Sequence, residues 1–296
     1  MYKNFSELLK IAEEKESPLW KVILESETQL SNTTQENIMS NMLKHFNVME
    51  ESAKKALENS PQTAFNLIYG VSKTQNKYTE KNETLAGHLI NKVMSLALSS
   101  SEVNATMGKI CAAPTAGACG ILPAVLIGLK EEFDFSIDKT LKGLLTASGI
   151  GALIMQNATV SGAEGGCQAE CGVAACMAAC AAVEMKGGTP AMALNACGIA
   201  LTNVMGLVCD PIAGLVQEPC AKRNASQAVN AIISADLALG GMKTVVTLDE
   251  TVNAMYQVGK QMPIAVRETA MGGIAATPTA KSISKKLKNE KFVIQN

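Results

Sequence analysis

Between Leu141 and Gly206 the chain carries only five charged residues, Lys142, Glu164, Glu170, Glu184 and Lys186, spread through sequence dominated by small and aliphatic side chains. A stretch so long and so poor in charge offers little to hydrate, so the rest of the chain has to enclose it. A bilayer does not suit it. Leu144 to Val160 reaches only the lower length limit for a span, contains Gln156 and Asn157, and is weakened by Gly149 and Gly151, while Cys171 to Val183 is too short. Aromatic residues make up 4% of the chain, which favours close-packed helices with small residues at their contacts over a β-sandwich. The expected fold is all-α, with Ala/Gly-rich central helices buried inside others.

The flanking sequence supplies the enclosure. From Ser6 to Glu58 the pattern is helical and highly charged, with Thr33 and Glu36 as a capping box ahead of Ile38, Met42, Phe46 and Met49 at helical spacing. Ser60 to Glu83 reads as a polar loop or weak boundary, and a helix is expected from Thr84 to Ser99. Further on, Gly187-Gly188 ends a helix and Thr189-Pro190 starts the next. Thr247 with Glu250 forms a second capping box, and Thr244 to Leu248 is the one strand-like run. The expected organisation is one unit over 1–296: a polar helical section 1–83, a core 84–276 and a basic surface tail 277–296. His45 and His88 read as ordinary helix or boundary residues.

A net charge of −1 gives no basic field and does not suggest nucleic acid as a partner. The N-terminal MYKNFSELLKIAEEKE lacks the uninterrupted apolar core of a secretion signal, so a cytoplasmic protein is expected. Nine cysteines in that compartment stay reduced, either packed as small hydrophobes or bound to metal.

Three Gly/Pro-rich segments break the helical pattern. In Lys109 to Pro123, the run Thr115-Ala116-Gly117-Ala118 leads into a helix near Gly120 and offers N–H groups to an anion such as a carboxylate. In Ser161 to Cys171, Gly165-Gly166 sets Cys167 at a helix start, where a thiolate is favoured. In Gly206 to Asn224, Cys209 is followed by Asp210-Pro211 and Cys220 is preceded by Glu218-Pro219, so both thiols fall at bends. Cys171, Cys176, Cys180 and Cys197 lie in Ala-rich helical runs where packing is the expected role. Cys167, Cys209 and Cys220 are therefore the ligand candidates. Three thiolates without a nearby histidine point to an iron-sulfur cluster or zinc, and spacing does not choose between them.

The segments MGKICAAPTAGACGILP, SGAEGGCQAECG, GLVCDPIAGLVQEPCAKRNA and MPIAVRETAMGGIAATPTA, in that order, closely resemble the α chain of bacterial iron-sulfur-dependent L-serine dehydratases. The resemblance extends over nearly the whole chain. It implies a 4Fe-4S cluster held by Cys167, Cys209 and Cys220, and conversion of L-serine to pyruvate and ammonia without pyridoxal phosphate. Fused relatives carry a further cysteine near the C-terminus, whereas here nothing after Cys220 is a cysteine, so the fourth iron is expected to be open. They also carry an N-terminal domain with a Ser-Ser-Ser-His-Thr motif. Here Ser99-Ser100-Ser101 is followed by Glu102, and a separate β chain is expected as partner.

On this footing the Thr115 to Ala118 loop is expected to bind the substrate carboxylate, with Lys222 or Arg223 supplying positive charge. Thr115 and Lys222 are the catalytic candidates, Lys222 or a β-chain residue serving as base for the α-proton. A related lyase acting on L-threonine or L-cysteine is the alternative, and an electron-transfer iron-sulfur protein a more distant one.

Overall fold

The computed structural model describes residues 2–294 except 64 and 82, with side chains through residue 289. Its α-helices are α1 (Phe5–Glu14), α2 (Leu19–Leu30), α3 (Gln35–Lys55), α4 (Val71–Thr79), α5 (Gly87–Ala105), α6 (Ile121–Glu132), α7 (Ile137–Asn157), α8 (Gly162–Gly165), α9 (Val173–Met185), α10 (Pro190–Thr202), α11 (Cys220–Leu239), α12 (Leu248–Gln261) and α13 (Pro278–Ile294). Among the described residues there is no strand, and the only β-type pairing is an isolated bridge between Cys209 and Arg267. The fold is all-α, as the composition implied, and no helix among the described residues is long and apolar enough to cross a membrane.

α9 is the axis of the molecule. Every residue from Val173 to Val183 is buried, and the helix packs against α6, α7, α10 and α11. Its sequence, VAACMAACAAVEM, has no polar face because it has no solvent side. Small side chains let the neighbours close in. On α7, a Cβ at Gly143 would stand 2.8 Å from Met185 Cγ, and one at Gly151 would stand 2.9 Å from Met177 Cε. Cys176, Cys180 and Cys197 are buried at these contacts, with Cys197 Sγ 3.4 Å from the carbonyl of Cys176 and Cys180 Sγ 3.0 Å from that of Met177. They act as small core side chains whose thiols are pushed up by burial.

Local signals set most helix ends. Thr189 caps α10 with Pro190 in the first turn, and Thr247 and Glu250 form the reciprocal box that starts α12. Three expectations need correction. The cap of α3 is Thr34, whose hydroxyl accepts from Asn37 N at 3.3 Å; Thr33 instead takes the Asn37 side-chain amide. A left-handed turn at Asn32 precedes the cap, and Thr34 has the extended conformation that a cap adopts. Ser60 to Glu83 contains α4, which packs on α5. Thr244 to Leu248 is irregular chain running into α12; with no strand beside it, its β-branched residues have no ladder to join, and Val245 and Val246 are exposed. The lysines of the tail lie on α13, Lys281, Lys285 and Lys286 exposed, while side chains from 290 onward fall outside the described residues.

Glu184, near the end of α9, is largely buried and does the capping that α2 cannot do for itself. Pro18 has no side-chain acceptor, and the Glu184 carboxylate instead accepts from Trp20 N at 3.4 Å and Thr146 Oγ1 at 3.0 Å. Burial raises its pKa, opposed by those two bonds and by the charge of Lys142. A carboxyl whose folded pKa is raised holds its proton more tightly in the native state. Its contribution to stability is therefore complete below the unfolded value and is lost as pH rises through the folded one. Glu184→Gln is expected to raise the urea midpoint at pH 7.5 and to lose that advantage near pH 4, measured by circular dichroism. Thr247→Ala, which removes half of the α12 box, is expected to cost about 1 kcal/mol of unfolding free energy in the same assay.

Candidate active site

Four irregular segments meet at one end of α9, and each carries residues singled out in the sequence. The first, 107–120, contains a 3-10 turn at Ala116–Ala118 and delivers the chain into α6. The amides of Ala118 and Cys119 are bonded within the turn, and that of Gly120 to Asn224 Oδ1 at 2.9 Å. The amides of Thr115, Ala116 and Gly117 meet no acceptor among the described residues. Three donors of the expected anion loop thus remain available.

The second segment joins α8 to α9. Gly166, at φ +75°, turns the chain so that Cys167 opens a π-helical turn, Gln168–Gly172, that runs directly into α9. The wider turn puts Cys167 and Cys171 in contact, and the bond from the Cys171 thiol, together with the charge of Arg223, holds the Cys167 thiol below the usual range against the effect of burial. The direction is the one expected from sequence, but the causes are a neighbouring thiol and a guanidinium. Gln168, fully buried, locks this turn to the next segment: its N bonds Leu207 O at 3.0 Å, its Oε1 accepts from Gly206 N at 2.8 Å, and its Nε2 reaches Met255 O at 2.9 Å.

The third segment, 206–219, presents Cys209 and leads to Cys220, the first residue of α11. Cys209 is buried and Cys220 half-buried. Burial pushes the Cys209 thiol up, with negative charge on Glu170, Cys167, Glu268 and Cys220 adding to it. The Cys220 thiol is pushed up to about 12 by burial and then by Cys167 and Glu170, with Arg223 opposing. All three candidate thiols therefore lie within reach of one another's charge. Among the described residues, no three His, Cys, Asp or Glu side chains are set to hold a metal ion.

The fourth segment, 262–277, is pinned to the third. Cys209 N bonds Val266 O at 2.9 Å and Glu268 N bonds Cys209 O at 2.7 Å, which makes the bridge; Ile274 N bonds Asp210 Oδ2 at 2.6 Å. Asp210 also pairs with Arg223 of α11 at 2.8 Å, and Arg223 donates to Val208 O at 2.8 Å.

Sequence reasoning passed over Glu170, which stands where these segments meet. Thr115 donates its hydroxyl to Oε1 at 2.9 Å, and Cys209 Sγ lies 3.8 Å from Oε2. Burial raises its pKa, helped by Glu268 and opposed by the bonds from Thr115 and Cys209. Glycines from two segments close over it: a Cβ on Gly117 would lie 3.1 Å from Oε1, and one on Gly162 would lie 2.5 Å from Oε2 and 3.0 Å from Cys209 Sγ. The available signal was a carboxylate three residues after Cys167 in an almost charge-free stretch. Asn224 was also passed over. One turn after Cys220, it donates to Cys220 O at 2.9 Å and to Gly117 O at 2.7 Å, tying α11 to the anion loop.

Lys222 is placed elsewhere. Its side chain is 75% exposed and its amine pairs with Glu218 at 2.6 Å. Arg223, on the next residue, turns inward to Asp210 and Cys167. Ser99, Ser100 and Ser101 are buried in α5, where Ser99 Oγ accepts from Ala56 N at 3.0 Å and donates to Ser52 O at 3.1 Å, a packing role. His88 faces Glu132 at the surface, and His45 lies 3.9 Å from Cys111.

The serine dehydratase alpha chain family is matched over residues 14–275. Over 283 residues the chain is 47% identical to the L-serine dehydratase, alpha chain, of Peptoniphilus asaccharolyticus, covering 96% of this chain and 97% of that one. It is 44% identical over 288 residues to the probable L-serine dehydratase, alpha chain, of Bacillus subtilis (strain 168), covering 97% and 95%. A longer relative, the L-serine dehydratase of Haemophilus influenzae, is 35% identical over 285 residues, which take in 93% of this chain and 61% of that one. Matched over most of its length by the family and nearly half identical to whole relatives, the chain belongs to the serine dehydratase alpha chain family.

Proposed function

We propose that the chain is the cluster-binding subunit of an L-serine dehydratase, which converts L-serine to pyruvate and ammonia without pyridoxal phosphate. The observation that carries this is the meeting of Cys167, Cys209 and Cys220 around Glu170 and the Thr115 loop in a family member. The donor set suits a 4Fe-4S cluster. It offers three free thiols beside Glu170, the Arg223 guanidinium near Cys167 is already engaged by Asp210, and the two glycines leave backbone rather than side chain next to Glu170 and Cys209. A cluster takes one cysteine per iron, and so asks for thiols that share a neighbourhood. When bound through three cysteines, the cluster supplies an iron with an open position, a Lewis acid for the β-hydroxyl, which is otherwise a poor leaving group.

The rest falls to the protein. The free amides of Thr115, Ala116 and Gly117 receive the substrate carboxylate. Thr115 is held by Glu170, so its backbone and hydroxyl are fixed before substrate arrives. Asn224 holds the loop at a set distance from Cys220. Loss of the α-proton and of the β-hydroxyl gives water and 2-aminoacrylate, which tautomerises to the imine and hydrolyses to pyruvate and ammonia. Since Lys222 faces solvent and Glu218, the base for the α-proton is assigned to a separate β chain that completes the site.

The test is an anaerobic assay of reconstituted protein with and without the β chain, following pyruvate together with iron and sulfide. Pyruvate is expected from L-serine only when both chains are present, and exposure to air is expected to abolish it. Cys209→Ala is expected to bring pyruvate to background and to lower bound iron, while the helical circular dichroism stays unchanged. Bound iron with no turnover of L-serine would refute the reaction, and absence of iron would return the three thiols to packing.

A further inference from the structure

The segments that carry or pair with the candidate cysteines hold three basic residues. Lys222 is paired with Glu218 and Arg223 with Asp210. Arg267 meets no carboxylate among the described residues. Its Nε is buried without a hydrogen-bond partner, and its Nη1 reaches only the carbonyl of Glu164, at 3.5 Å. Arg267 as a whole is half-buried, and a buried N–H left without a partner is unfavourable unless something else supplies one.

The backbone fixes where this guanidinium begins. Arg267 is the bridge partner of Cys209, and partners across a β-type bridge carry their side chains on the same face, so the Arg267 side chain leaves the chain beside the Cys209 thiol. Next along the chain, Glu268 has φ +63° and Ala270 φ +56°, a left-handed conformation unusual outside glycine. This turn is held from within by Thr269, whose hydroxyl donates to Ile264 O at 2.9 Å and Ala265 O at 3.1 Å, and from outside by Asp210. Left-handed backbone kept in place beside a half-buried guanidinium with an orphaned N–H is the kind of feature that binding sites concentrate.

We propose that Arg267 binds the α-carboxylate of the amino-acid substrate, supplying the charge that Lys222 and Arg223 do not, while the Thr115 loop supplies uncharged donors. The inference rests on the amino-acid lyase reading above. A planar guanidinium offers two parallel N–H groups to a carboxylate, and its selectivity would fall on free amino acids over their amides.

The test uses the reconstituted two-chain enzyme, wild type, R267Q and R267K, with L-serine as substrate and L-serinamide as competitor, and calorimetric titration of both ligands. R267Q is expected to raise KM for L-serine by about 30-fold or more, with kcat within about threefold, because a charge partner of the carboxylate is lost from ground and transition state alike. R267K keeps the charge without the fork and is expected to fall between, at about 3- to 10-fold. The inhibition constant of L-serinamide and the iron and sulfide content are expected to stay unchanged in both variants. An unaltered KM for L-serine overturns the proposal, as does equal weakening of L-serine and L-serinamide, which marks general damage. Should R267Q fail to fold, R267K alone decides by the same comparison. If the wild type turns over no L-serine, the lyase reading fails separately. A calorimetric preference for L-serine over L-serinamide that disappears in R267Q would still uphold the anchor, and no preference would overturn it.

Discussion

One carboxylate, that of Asp210, holds the functional end of the molecule together. It pairs with Arg223 on the first turn of α11 and accepts from the amide of Ile274, so the helix that starts at Cys220, the bend that presents Cys209 and the loop that carries Arg267 are joined at one point. Arg223 stands 2.8 Å from one carboxylate oxygen and the Ile274 amide donates to the other, in a buried setting where water screens little. A Cβ on Gly273 would collide with this carboxylate, so the loop can approach only because that residue is glycine, and its φ of +59° is one glycine tolerates. This junction adds to the Cys209–Arg267 bridge and to the start of α11 at Cys220 in fixing where the two thiols lie.

The helical scaffold was legible in the sequence wherever its causes are local. The missing charge between Leu141 and Gly206 located α9 and α10, and Thr189-Pro190 and Thr247 with Glu250 located helix starts, because a cap acts within one turn. Thr33 and Thr34 show the limit: adjacent residues of identical capping chemistry are told apart only by which hydroxyl takes the Asn37 backbone N–H. The strand-like Thr244 to Leu248 shows another, since a strand exists only through a partner and none is near it.

Cys167, Cys209 and Cys220 could be picked out because glycine and proline mark interruptions of helices. Their shared neighbourhood with Glu170 could not, because the four segments involved are far apart in the chain and converge only through contacts such as Gln168 to Leu207 and Asn224 to Gly117. The π-helical turn has no local signature either; it is where α9 widens to bring Cys167 and Cys171 together. Lys222 illustrates the complementary difficulty. Neighbours on a helix point about 100° apart, so of the pair Lys222-Arg223 one side chain turns inward and the other outward, and sequence alone does not say which.

Gln168 makes its three bonds to backbone, and Asn224 on α11 likewise bonds the main chain of Gly117, Gly120 and Cys220, none of these bonds passing through a thiol. The segments that bear the candidate thiols are thus tied to one another by main chain and amide side chains. Small zinc-binding domains are the opposite case, since there the metal is part of what folds the chain. On the proposed cluster reading, such a scaffold would keep its shape when oxygen removes the cluster, so that repair would be refilling rather than refolding.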